Sequence, residues 1–157
     1  MLQVIWTLLV PEKLSSNNKG AHVLDGEIFI RTQAGDFPSR GWKDQPVVVM
    51  QNLIATTLQL ANTRNAQKRY FPFGPYYLEI DVPVKDLLTI HFMRSYLPEP
   101  LESLPPVTLP FVKYCHILLQ SGYTMLEACR SKGIGTRLEL EALEKSLVLL
   151  NEAVVKQ

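Results

Sequence analysis

The sequence predicts an α+β fold, in which an antiparallel β-sheet with one intervening helix is covered by a C-terminal helical hairpin. Several short segments alternate between apolar and polar residues, as half-buried strands do. From residue 111 onward, apolar residues instead recur every three or four positions, as on one face of a helix. The 157 residues are 46% hydrophobic and 20% charged, which is typical of a compact domain. We expect a single domain, residues 1–157, with a sheet-rich part (1–94), a proline-rich connector (95–110) and a helical hairpin (111–157).

The N-terminal segment from Leu2 to Val10 is apolar at both alternate and intervening positions. We therefore expect a strand well inside a sheet, with neighbours on both sides. No basic residue precedes the segment and it is too short to cross a membrane, so it does not fit a signal peptide or a membrane span. A cytoplasmic location is the resulting expectation. Further on, Asp25-Gly26 between apolar runs predicts a hairpin turn within Ala21 to Thr32, with a single bulged strand as the alternative.

A helix is predicted from Asp44 to Asn62. Asp44 can accept hydrogen bonds from first-turn amides, and Pro46 lacks the amide that would go unpaired there. Apolar residues then recur at helical spacing, although the β-branched run Val47-Val48-Val49 leaves open a strand followed by a helix. The polar stretch 62–68 is expected to be an exit loop, with Arg64, Lys68 and Arg69 as a solvated basic cluster.

The segment from Tyr70 to Arg94 predicts a turn followed by a β-hairpin. Its first strand places Tyr76, Leu78 and Ile80 on one face. Tyr77, Glu79 and Asp81 fall on the other face. The second strand runs through Leu88, Ile90 and Phe92, and any register in phase with the first sets His91 opposite Tyr77 or Glu79.

The remainder of the chain is predicted to be a stiff connector followed by two helices. Five of the eleven prolines lie in residues 95–110, and each fixes the backbone and removes a hydrogen-bond donor. The first helix is expected from Pro110 to Lys132, with Gly122 allowing a kink and Gly133 ending it. Thr136 and Glu139 have the spacing of a capping box. The second helix carries an apolar stripe of Leu140, Leu143, Leu147, Leu150 and Val154.

No pattern in the sequence indicates a catalytic motif, a metal site or a cofactor. His22, His91 and His116 are far apart, and none has a ligand-spaced partner on its own element. His91 is the best candidate for chemistry, since the hairpin could bring it near Glu79 and Asp81 and orient it as a general base. Cys115 and Cys129 would lie about 21 Å apart on a continuous helix, so we expect buried free thiols, which favours a reducing compartment.

Charge and aromatic residues indicate the kind of partner. The net charge of +1 is spread evenly, so the sequence lacks the positive stripe that nucleic-acid binding requires. Tyr, Trp and Arg carry most of the energy in protein interfaces. Trp42, Phe73 and Tyr76 are expected in the core, whereas Tyr70, Tyr77 and Arg69 are expected on an exposed contact surface. The predicted binding residues are Arg69, Tyr70, Tyr77, Glu79 and His91.

Four short motifs carry a resemblance to a family. Gly26-Glu27-Ile28, Gly41-Trp42-Lys43-Asp44, Pro46-Val47-Val48-Val49 and Phe73-Gly74-Pro75-Tyr76 resemble those of small bacterial immunity proteins of polymorphic or contact-dependent toxin systems. The resemblance covers about residues 24 to 94. It implies a cytoplasmic, non-enzymatic protein that binds one cognate toxin and blocks it. In this interpretation Trp42, Asp44, Gly74 and Pro75 belong to the scaffold.

Three functional hypotheses follow from the sequence. The first is a protein-binding module of the immunity type, with another protein as partner and neither nucleic acid nor membrane. The second is a small enzyme or ligand-binding protein with a pocket near His91. The third is a structural or self-assembling subunit that associates through the leucine face of residues 140–154. We expect a monomer or a weak homodimer.

Overall fold

The computed structural model describes residues 1–9, 25–84, 86–96 and 98–156. It confirms the predicted α+β class, although the strands form two four-stranded antiparallel sheets rather than one sheet. The strands are β1 (Leu2–Leu8), β2 (Gly26–Thr32), β3 (Asp36–Phe37), β4 (Lys43–Asp44), β5 (Gln67–Tyr70), β6 (Tyr76–Val84), β7 (Leu87–Arg94) and β8 (Leu101–Pro110). The helices are α1 (Pro46–Thr63), α2 (Phe111–Lys132) and α3 (Arg137–Val155).

The first sheet has the order β1-β2-β3, with β4 also paired to β2. Within the described residues β1 pairs only with β2, so the expectation of neighbours on both sides was wrong. The apolar character of β1 has a different cause, because Leu2 and Val4 enter the core and α2 packs beside the strand. Among the described strands, β1 thus lies at the edge of its sheet, with α2 packed beside it.

The hairpin turn predicted at Asp25-Gly26 is also absent from the described structure. Gly26 begins β2 and pairs with both Leu8 and Asp44, and neither Asp25 nor Gly26 has a positive φ. A Cβ atom at Gly26 would lie 2.1 Å from the Thr7 carbonyl oxygen, so this position requires glycine for close strand approach. Residues 21–24 of the predicted hairpin, and His22 with them, lie outside the described residues.

Helix α1 confirms the helical alternative over a strand at residues 47–49. Pro46 occupies the first turn as predicted, but the N-cap is Gln45 and it makes no side-chain capping bond. The Asp44 carboxylate is used elsewhere, as described below. At the other end Arg64 adopts the left-handed conformation, and its amide donates to the Leu60 carbonyl. Arg64 therefore ends the helix.

The second sheet has the order β5-β6-β7-β8. The predicted hairpin is confirmed as β6 and β7, with Glu79 opposite His91. Strand β5 was not predicted, because Lys68 and Arg69 were interpreted as a solvated loop. These two residues instead pair with Glu79 and Leu78.

The proline-rich connector was a wrong prediction, because most of it forms β8. This strand pairs with β7 alone among the described strands, so it lies at the edge of its sheet. Pro105 and Pro106 fall in an irregularity between the pairs Ile90–Val107 and Phe92–Leu104. An edge strand tolerates proline, since only one side of its backbone needs hydrogen bonds.

Both C-terminal helices agree with the sequence prediction. Gly133 ends α2 with φ 64°, and Thr136 and Glu139 form a complete capping box at the start of α3. Gly122 does not interrupt α2. A Cβ atom there would lie 2.5 Å from a methyl carbon of Leu147, so glycine allows α2 and α3 to pack closely.

A single hydrophobic cluster connects both sheets and all three helices. Among its fully buried members are Ile28 of β2, Ile54 of α1, Leu88 of β7, Leu118 of α2 and Leu147 of α3. Cys115 and Cys129 are also buried there as free thiols, as predicted. Among the described residues, no helix combines the length and the hydropathy that a membrane span requires.

Candidate functional site

The second sheet has one face in the core and one face that no helix of the described residues covers. Inward residues of β6 and β7, such as Leu78, Ile90 and Phe92, are fully buried, whereas the outward residues between them are half-exposed with the exception of Tyr77. We call the outward side the open face. It consists of Lys68 and Tyr70 of β5, Tyr77, Glu79 and Asp81 of β6, His91 and Met93 of β7, and Glu102 of β8.

His91 lies at the centre of the acidic part of this face. Its Nδ1 is 3.1 Å from Glu102 Oε1, and its Nε2 is 3.8 Å from Asp81 Oδ2. The side chain is about one-third exposed. Glu79, directly opposite His91 in the register, lies 3.8 Å from Lys68 Nζ instead. Among the described residues of the open face, three carboxylates therefore outnumber one lysine and the imidazole, which makes the face acidic.

Aromatic residues form the other part of the open face. The rings of Tyr70 and Tyr77 pack with centroids 4.8 Å apart, and Lys68 Nζ lies 5.6 Å from the centroid of Tyr77. Tyr77 is only 2% exposed, because it sits on an interior strand beneath these side chains, whereas Tyr70 is 54% exposed. The expectation of an exposed Tyr77 was therefore wrong. Tyr77 supports the surface on which Tyr70 is displayed.

The structure brings together four of the five predicted binding residues. Tyr70, Tyr77, Glu79 and His91 share the open face. Arg69 does not, since it points to the other side of β5 and donates to Thr56 and to Gln59 Oε1 of α1. The guanidinium of Arg69 therefore anchors β5 to the helix.

A rigid turn lies next to the aromatic part. The buried Asp44 carboxylate accepts from Trp42 Nε1 at 3.1 Å, from the Phe73 amide at 3.2 Å and from the Gln45 amide at 2.8 Å. A Cβ atom at Gly74 would lie 2.9 Å from the Trp42 ring. These contacts fix the turn to β4. Phe73 was expected in the core, but 51% of the surface of this residue is exposed.

Two charged members of the open face were missed by the sequence analysis. Glu102 was assigned to the connector and Lys68 to a loop, so neither was expected on a strand. For Lys68, the register of β5 against β6 places it opposite Glu79. Position 102 offered one signal, since Leu101, Leu104, Val107 and Leu109 are spaced as in an irregular strand.

A depression lies beside His91 on the open face. Glu79, His91, Met93, Pro100 and Glu102 line a shallow depression that is open to solvent rather than enclosed. No group of His, Cys, Asp and Glu side chains in the described ranges is arranged to hold a metal ion.

Neither cysteine is in the thiolate form that a nucleophile requires. Burial raises the pKa of Cys115 to about 12 and is the main cause that raises that of Cys129 to about 11. Both groups are therefore neutral thiols at physiological pH, whereas the thiolate is the reactive form.

The leucine face of α3, which the third hypothesis assigned to self-association, packs inside the molecule. Leu143, Leu147 and Leu150 are buried against the neighbouring helices. The large apolar residues that remain exposed on α3 are outside the predicted stripe; they are Leu138, Val148, Leu149 and Val155.

Comparison of the chain with protein-family models, with curated proteins and with solved structures found no match in any of the three.

Proposed function

We propose that this chain is a non-enzymatic protein-binding module that docks a basic patch of a partner protein on its open face. The observation that carries this proposal is the composition of a sheet face that is free of helices within the described part of the chain. Three carboxylates (Glu79, Asp81 and Glu102) surround His91, and an exposed tyrosine adjoins them.

The aromatic part of the face supports binding at small entropic cost. Tyr70 is held against Tyr77, so little side-chain freedom remains to be lost on association. Tyrosine also buries a large area while it keeps a hydroxyl for hydrogen bonding. Residues of this kind carry most of the energy in protein interfaces.

The acidic part of the face supports selection of the partner. Complementary charge accelerates association and disfavours partners of the wrong sign more than it adds raw affinity. A basic partner patch would therefore be recognised by the carboxylates, with Tyr70 and Phe73 as apolar contacts beside them. The resemblance described above specifies the partner further as a bacterial toxin, neutralised in the cytoplasm by occlusion. Two buried free cysteines fit a reducing compartment.

The test is binding to the purified product of a toxin-like gene next to the gene for this chain. Calorimetry should detect a one-to-one complex whose affinity falls as ionic strength rises, because screening weakens charge pairing. Replacing Glu79→Lys and Glu102→Lys together should weaken binding by about tenfold or more.

Glu152→Lys is the matched control for this charge reversal. Glu152 is exposed on α3, away from the second sheet, and its replacement should leave the affinity unchanged. Failure of the neighbouring product to bind would contradict the immunity assignment. Binding that survives the double charge reversal would contradict the assignment of the open face as the docking surface.

A further inference from the structure

The acidic part of the open face is built around one imidazole that lies between carboxylates of two other strands. His91 of β7 has Glu102 of β8 on one side and Asp81 of β6 on the other. Its Nδ1 lies 3.1 Å from Glu102 Oε1, which is a hydrogen-bond distance. Its Nε2 lies 3.8 Å from Asp81 Oδ2, which is too long for a hydrogen bond. The two ring nitrogens therefore face two carboxylates at unequal distances.

The unequal distances are those of an imidazole that carries a single proton. An ionised carboxylate only accepts hydrogen bonds, so the contact with Glu102 requires the proton on Nδ1 of His91. The neutral ring then directs the lone pair of Nε2 toward Asp81. The Oδ1 atom of Asp81 is buried and has no hydrogen-bond partner among the described residues. A second proton, on Nε2, would give the Asp81 carboxylate a donor.

The pairing of the charged groups around His91 depends on this second proton. The charged residues that face the ring are Glu79 and Asp81 of β6, Lys68 of β5 and Glu102 of β8. Pro100 lines the depression next to the ring and adds no charge. Lys68 Nζ lies 3.8 Å from Glu79 Oε2, so Glu79 already has a cation beside it. Within the described part of the chain, Asp81 and Glu102 have one only when His91 is protonated.

We propose that His91 is a pH switch for docking. Loss of its second proton leaves Asp81 and Glu102 free to pair with a basic partner, and gain of that proton pairs both with the imidazolium instead. This inference rests on the proposed function, because it concerns the regulation of the same face. With a neutral ring the face carries three negative charges and one positive charge, and protonation adds a second positive charge at its centre.

The direction of the effect follows from linkage between the proton and the partner. A basic group on Asp81 and Glu102 disfavours a positive charge on the ring between them, so binding of the partner releases the proton and acidic pH releases the partner. Histidine is the side chain that ordinarily changes charge between pH 5 and 8, whereas lysine and carboxylate side chains ordinarily keep their charges between pH 6 and 8.5. Affinity should therefore be high at pH 8.5 and lower at pH 6.

The first measurement uses the free chain and needs no partner. Nitrogen-15 NMR of the histidine rings should show the proton of His91 on Nδ1 at pH 8.5 and protons on both nitrogens at pH 6. The carboxyl carbon-13 signal of Asp81 should shift with the same midpoint as the ring. A proton on Nε2 at pH 8.5, a singly protonated ring at pH 6, or an Asp81 signal that does not follow the ring would each overturn the proposal.

The second measurement is binding of a basic probe, an N-acetylated decalysine peptide, whose charge is nearly constant over this range. Chemical-shift mapping of the full chain locates the contact, and titration at low ionic strength gives the affinity. The affinity for the open face should fall by about fivefold or more between pH 8.5 and pH 6.

Two histidine variants assign the effect. His91→Gln keeps a side-chain N–H for Glu102 but has no charge at either pH, so the peptide should bind this variant equally at pH 6 and pH 8.5. His116→Gln is the matched control, because His116 is exposed on α2, and this variant should keep the full pH dependence. A pH dependence that survives His91→Gln would contradict the assignment to His91.

Failure of the switch and failure of the proposed function give different results. A peptide that contacts no residue of the open face at pH 8.5 contradicts the docking surface, and the switch with it. Contact at pH 8.5 that persists with the same affinity at pH 6 contradicts the switch alone and leaves the docking surface in place.

Discussion

The Asp44 carboxylate joins three segments through one buried group, because it accepts from Trp42, Gln45 and Phe73. Replacing Asp44→Ala removes the acceptor and leaves the Trp42 and Phe73 N–H groups without a partner. A buried donor without a partner costs about 1 to 3 kcal/mol, so we expect a loss of about 2 to 4 kcal/mol in the free energy of unfolding. Urea denaturation followed by fluorescence measures this loss.

Asp25→Ala is the matched control for Asp44→Ala. Asp25 is an exposed aspartate just before β2, and its replacement should change the free energy of unfolding by less than about 0.5 kcal/mol. Equal effects of the two substitutions would show that the three hydrogen bonds of Asp44 do not stabilise the fold.

The buried thiol of Cys115 makes stability depend on pH in the alkaline range. Its pKa is raised by burial from about 9 to about 12, so between these values the unfolded chain loses a proton that the folded chain keeps. The stabilisation is complete below pH 9 and is lost as pH rises toward 12. Removing the thiol with Cys115→Ala should therefore reduce the fall in the free energy of unfolding between pH 7 and pH 10 by about 1 kcal/mol.

Urea midpoints at pH 7 and pH 10 test the effect of Cys115→Ala. The comparison is the change between the two pH values within each protein, so that a small packing loss at pH 7, about 1 kcal/mol, cancels. Tyr114 remains in both proteins, and burial, the largest cause that raises its pKa, is still present after the smaller contribution of Cys115 is removed. An identical decline in the two proteins would contradict the prediction.

At the scale of elements, Pro105 and Pro106 prevent β8 from pairing at its outer edge. Successive N–H groups of a strand point in opposite directions, so replacing both prolines by threonine restores one outward N–H donor in each copy of the chain. Each hydrogen bond contributes about 1 kcal/mol, so self-association should strengthen by about tenfold or more. Sedimentation over a range of concentrations measures it.

The control for the edge of β8 replaces Pro98 and Pro100 by threonine, since both precede the strand. This variant should sediment as the unmodified chain does. If both double variants associate equally, the prolines of β8 have no special role at the edge.

Elements with local signals could be predicted from the sequence. The start of α1 at Pro46, the end of α2 at Gly133 and the capping box of α3 each depend on a few neighbouring residues. The hairpin of β6 and β7 follows from a period of two and a short connection, which limited the residue opposite His91 to Tyr77 or Glu79, and the structure has Glu79 there.

The elements that were not predicted from the sequence depend on strands that are distant along the chain. β8 was missed because proline breaks a central strand but is tolerated at an edge, and edge position is a property of the whole sheet. β5 is four residues long and has no alternation of apolar and polar residues, so its sequence alone does not indicate a strand. It becomes a strand because it pairs with β6. The open face was therefore predicted only for its hairpin residues, while Lys68 and Glu102 depended on these two strands.

At the scale of the whole molecule, one core cluster spans both sheets and all helices, so unfolding should be a single cooperative transition. Trp6 lies in β1, and Trp42 adjoins β4 with its ring against Tyr76 of β6, so fluorescence reports on the first sheet and its contact with the second, whereas circular dichroism reports on the helices. Leu88→Ala in the second sheet should cost about 2 to 5 kcal/mol. It should lower the urea midpoint equally for both signals.

Leu138→Ala is the matched control for Leu88→Ala, because Leu138 is 77% exposed on α3. It should leave both midpoints in place. A shift of the circular dichroism midpoint without a shift of fluorescence would instead mean that the first sheet unfolds separately. The open face of the second sheet would then lie on a unit that is stable without the first sheet. Equal shifts would mean that binding energy gained on the open face stabilises the whole folded state.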